Sequence, residues 1–72
     1  MTYNYNGKIL VLPDDLILRY KKTNGSFSNL DIHCLLKYEK QENPSLDVES
    51  LSPDQLSAII SKQVQKDLNR VF

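Results

Sequence analysis

The chain has 72 residues with nine basic and nine acidic side chains, so its net charge is zero at neutral pH. That length holds one core and one domain across residues 1–72, and a chain this small is marginal in stability unless something staples it. A single cysteine, Cys34, excludes an internal disulfide, and a single histidine, His33, excludes zinc sites built from several Cys and His ligands. Apolar residues at 40% and charged residues at 25% give a globular balance rather than a disordered one.

The first segment, Tyr3-Asn4-Tyr5-Asn6-Gly7-Lys8-Ile9-Leu10-Val11-Leu12, reads as a β-hairpin. Asn6-Gly7 is a favoured type I′ pair because both residues tolerate positive φ. Two readings compete for residues 14–24. In the helical one, Pro13 stands at the start and Asp14 and Asp15 complement the positive end of the dipole. Lys21 and Lys22 then lie near its negative end, and Asn24-Gly25 supplies the stop. In the strand reading, Leu16, Leu18 and Tyr20 alternate and return beside Ile9–Leu12. Agreement of the boundary signals at both ends favours the helix.

Residues 29–41 are ambiguous in the same way. Leu30, Ile32 and Cys34 alternate with polar residues, but Leu35-Leu36 breaks the alternation and the following residues are good helix formers. A helix capped by Ser28 or Asn29 is the preferred reading. Asn43-Pro44-Ser45 ends it. Residues 42–54 carry four acids and no base, which suggests an exposed connector pinned by Leu46, Val48 and Leu51.

The last element has the clearest signature. Ser52-Pro53-Asp54-Gln55 is a capping box, and Leu56, Ile60, Val64, Leu68 and Val71 follow at helical spacing, with Ile59 widening the face. No stop signal precedes Phe72, so either the chain ends there or a longer protein continues. The expected fold is α+β: an amino-terminal hairpin followed by two or three helices, the last the longest. The alternative is a β-meander over residues 8–38 with one final helix.

Chemistry is sparsely provided. His33-Cys34 could suggest nucleophilic catalysis, but adjacent residues point apart on a helix or a strand. The expectation is a buried Cys34 beside a half-exposed His33. Asp14-Asp15 suits a helix start or turn. Asp47, Glu49 and Asp54 match no calcium-loop spacing. Two glycines rule out a glycine-rich phosphate loop. No enzyme, metal or cofactor is expected.

Two surfaces remain for binding. The apolar face of the last helix (Leu56, Ile59, Ile60, Val64, Leu68, Val71), with Tyr3 and Tyr5 of the hairpin, would meet a protein partner or a second copy of the chain. Lys62, Lys66 and Arg70 repeat every four residues and form a basic strip, which suits an acidic surface or a nucleic acid, although the neutral total disfavours the latter. The expected function is a non-enzymatic protein-interaction module, such as a small adaptor, inhibitor or accessory subunit. A small nucleic-acid-binding regulator is the alternative. No apolar run approaches the length that spans a bilayer, and no signal-peptide pattern opens the chain. With a lone cysteine, these features point to an intracellular, cytoplasmic setting and no membrane partner.

Overall fold

The computed structural model describes residues 1–70. Strand β1 (Thr2–Tyr5) pairs antiparallel with β2 (Lys8–Val11), and three α-helices follow: α1 (Asp14–Asn24), α2 (Asn29–Glu42) and α3 (Pro53–Arg70). A short 3₁₀ turn, Val48–Ser50, interrupts the connector. This is the α+β architecture with the longest helix last. Residues 14–24 and 29–42 are both helical, so the meander alternative is excluded.

Local chemistry accounts for the boundaries. Asn6 and Gly7 adopt φ of 51° and 81°, as the tight hairpin turn demands. Gly25 closes α1 at φ 90° and donates its N–H to the carbonyl of Lys21 at 2.7 Å. At the start of α2, the Ser28 backbone N–H donates to the Asp31 carboxylate at 2.8 Å and the Ser28 hydroxyl donates to the same oxygen at 3.0 Å. The α3 capping box forms as expected: the Gln55 N–H donates to Ser52 Oγ at 3.2 Å, and the Ser52 N–H donates to Gln55 Oε1 at 2.9 Å.

The sheet buries one face. Leu10 and Leu12 point inward and are buried, while Ile9 and Val11 point out. Helix α3 packs against β2, α1 and α2, which makes it the central element of the core. Its Leu56, Ile60 and Val64 join Leu10, Leu12, Leu16, Ile17, Tyr20, Phe27, Ile32, Leu35 and Leu36 in one cluster. Phe27 is wedged between two aromatic edges, with ring centroids 5.1 Å from Tyr3 and 5.2 Å from Tyr20.

The Tyr20 hydroxyl donates to Asp31 at 3.3 Å. Burial, reinforced by the negative charges of Asp31 and Asp67, pushes the Tyr20 phenol up to about 12 from 10.0. The folded state therefore holds this proton more tightly than the unfolded chain does. The associated stability is intact below pH 10 and is lost as pH rises towards about 12. In a spectrophotometric alkaline titration, a tyrosine step lies at about pH 12, and Tyr20→Phe removes it.

Candidate functional site

The sequence-predicted binding residues separate into three groups. Leu56, Ile60 and Val64 are at most 1% exposed and belong to the chain's own core. Ile59 and Leu68 are half-buried against the same core, and Val71 lies outside the described residues. Tyr3 turns inward onto Phe27. What α3 was expected to offer a partner is thus largely occupied by β2, α1 and α2.

The basic strip is likewise engaged. Lys62 Nζ donates to Glu39 Oε2 at 2.8 Å and also contacts Oε1. Lys66 Nζ donates to Glu42 Oε2 at 2.8 Å. Between them Gln63, 1% exposed, donates to Glu39 at 3.2 Å and to Glu42 at 3.4 Å. The hydrogen bonds from Lys66 and Gln63 hold the Glu42 carboxyl below its ordinary 4.5. The stability that this carboxylate adds is present above that value and fades as acid titrates it. Arg70 is exposed at the end of α3. Two of the strip's three cations are therefore neutralised by α2, which reduces the field that a phosphate backbone would meet.

Cys34 is exposed, contrary to the expectation of burial. The buried stripe of α2 is Ile32, Leu35, Leu36 and Glu39, and position 34 falls off it. The described residues contain no group of three His, Cys, Asp or Glu side chains able to hold a metal ion.

A different feature is concave. A cleft of 720 Å³ lies between the hairpin tip, α2 and the 3₁₀ turn, lined by Tyr5, Asn6, His33, Leu36, Lys37, Lys40, Asp47, Val48 and Glu49. Its α2 wall is His33, Lys37 and Lys40, at helical spacing i, i+4 and i+7, and spans about 10 Å of helix. Lys37 and Lys40 are exposed and form no ion pair among the described residues. The 3₁₀ turn contributes exposed Asp47 and Glu49, with Val48 half-buried between them in sequence.

Each wall is held in place. The Asp47 carboxylate accepts the Glu49 N–H at 3.2 Å and starts the 3₁₀ turn. Lys8 Nζ donates to the carbonyls of Glu49 and Leu51 at 2.9 and 2.6 Å, tying the turn to β2. At the hairpin end, Tyr5 Oη lies 3.3 Å from His33 Nδ1, and Asn29 Nδ2 donates to the Asn4 carbonyl at 2.7 Å. The result is a braced, open cleft lined by basic residues of α2, acidic residues of the connector and the apolar Leu36 and Val48.

Of the residues singled out from sequence for binding, only Tyr5 lines this cleft. His33, Leu36, Lys37 and Lys40 were readable as one face of a helix. The contribution of the 3₁₀ turn was not, because its placement depends on the Lys8 tether 41 residues away. Comparison with models of protein families, with curated proteins and with solved structures gave no match. No described helix is long and apolar enough to cross a membrane.

Proposed function

We propose that this chain is a non-enzymatic protein-interaction module whose cleft receives a segment of a protein partner. The observation that carries the reading is the composition of the cleft lining: Lys37 and Lys40 of α2, which form no ion pair among the described residues, share the cleft with Asp47 and Glu49 of the connector and with the apolar Leu36 and Val48. A polypeptide with charges of both signs around an apolar anchor matches that arrangement. A nucleophile needs a base, an orienting group and a pocket for the developing charge, and the cleft supplies only a Tyr5–His33 contact at its edge. The exposed thiol of Cys34 suits the reducing cytoplasm.

The test is affinity capture from the native cell extract with the wild-type chain and with the double variant Lys37→Glu/Lys40→Glu. Both side chains are exposed, so the variant keeps the fold. The expected outcome is a protein that the wild type retains after nuclease treatment and the variant loses. Retention by both chains, or capture that nuclease abolishes, contradicts the reading.

A further inference from the structure

We propose that β2 is a self-pairing edge, through which two copies of the chain join antiparallel about Leu10 into one four-stranded sheet. The hydrogen-bond parity of the hairpin is the starting point. The Leu12 N–H donates to the Met1 carbonyl at 2.8 Å, and the Met1 amino group donates to the Leu12 carbonyl at 2.7 Å. With the register Thr2↔Val11, Tyr3↔Leu10, Asn4↔Ile9 and Tyr5↔Lys8, bonded and non-bonded pairs alternate. The backbone N–H and C=O groups of Thr2, Asn4, Ile9 and Val11 therefore point away from the hairpin's centre line.

The two edges are treated differently. On β1, Asn29 caps the Asn4 carbonyl and α2 packs alongside. On β2, neither Ile9 nor Val11 has a backbone hydrogen bond from outside the hairpin among the described residues. These two residues are 51% and 68% exposed. Natural edges are commonly guarded by an outward lysine, a proline or a bulge. Here the Lys8 ammonium is drawn to the carbonyls of Glu49 and Leu51, and Pro13 lies past the strand's end.

Complementarity selects a second copy as the occupant. About a twofold axis at Leu10, Ile9 faces Val11 of the second copy and Val11 faces its Ile9. Both pairs are of the bonded type, so four N–H···O bonds form. Lys8 faces Leu12, and no like charges meet. The two Ile9 and two Val11 side chains share one outer face, a β-branched cluster of the kind that stabilises cross-strand pairs. The edge carries no charge at its open positions, so it matches its own apolar sequence better than a charged strand. The cleft does not use Ile9 or Val11, so this association is independent of the proposed partner site.

Sedimentation of the full chain from about 10 μM to about 1 mM tests it, since so small an interface lies at the weak end of specific contacts. The wild type shifts from monomer to dimer across the range. Val11→Lys raises the dissociation constant about tenfold or more, and Ile9→Glu/Val11→Lys restores association by placing opposite charges face to face. In the wild type, hydrogen exchange at the Ile9 and Val11 amides slows as concentration rises, a readout that needs no variant. A monomer throughout, a dimer indifferent to Val11→Lys, or exchange at these amides that ignores concentration overturns the proposal.

Discussion

Ile60→Ala is expected to lower the stability of the folded chain by about 2–5 kcal/mol, as truncation of a fully buried isoleucine does. Ile60 is 0% exposed at the junction of α3 with the rest of the core. A chain this long has roughly 4–11 kcal/mol in total, at about 0.05–0.15 kcal/mol per residue. One substitution therefore removes a large share of it. Ile59, one position around the helix, is half-buried at the margin of the cluster, and Ile59→Ala costs about 1 kcal/mol. Urea denaturation of both variants measures the contrast. Equal losses would mean that the apolar face of α3 is not oriented as described.

Gln63→Glu is expected to have an effect of similar size by a different route. Gln63 is 1% exposed and donates to two carboxylates, Glu39 and Glu42. The substitution replaces that donor with a third carboxylate in a buried place. An uncompensated buried charge costs about 3–5 kcal/mol, a large share of the roughly 4–11 kcal/mol available to a chain of this length. Protonation removes the repulsion, so the deficit shrinks as pH falls towards the carboxylate range. Gln63→Leu removes the donor without adding charge and costs less, about 1–3 kcal/mol for the hydrogen bonds lost to Glu39 and Glu42. Thermal unfolding at pH 7 and pH 4.5 separates the two. A Gln63→Glu protein as stable as wild type at neutral pH would mean that the α2–α3 seam is wet.

These two positions also mark what could be read from sequence. The hairpin and the last helix are encoded by neighbours: Asn6-Gly7 sets its own φ angles, and Ser52 and Gln55 cap one another across three residues. Helix α1 was decided by its ends, Asp14-Asp15 and Gly25. Helix α2 was harder because Leu30, Ile32 and Cys34 alternate like a strand; Leu30 and Cys34 prove exposed, and only Ile32 of the three is buried. The α2–α3 seam was hidden for a different reason. Lys62 and Lys66 look like a free basic strip until Glu39 and Glu42 arrive from 23 and 24 residues away. Gln63 did leave a signal, since it stands seven residues after Leu56 and next to Val64, within the stripe that faces the core.

The same long-range packing relocates the candidate interface. Periodicity identifies an apolar face but not what covers it, and here the chain's own hairpin and helices cover most of it. The cleft is assembled from three separate segments: the hairpin turn, one face of α2 and the Val48–Ser50 turn with Asp47 before it. Of the three, only the hairpin, through Tyr5, stands out in the sequence as a binding surface.

The most direct measurement is amide chemical-shift mapping of the labelled chain titrated with the protein retained in the capture experiment. Binding at the cleft shifts Tyr5, Asn6, His33, Lys37, Lys40, Val48 and Glu49 and leaves the outer side of α3 unmoved. Shifts centred on Lys62, Lys66 and Arg70, with the cleft silent, would contradict the account.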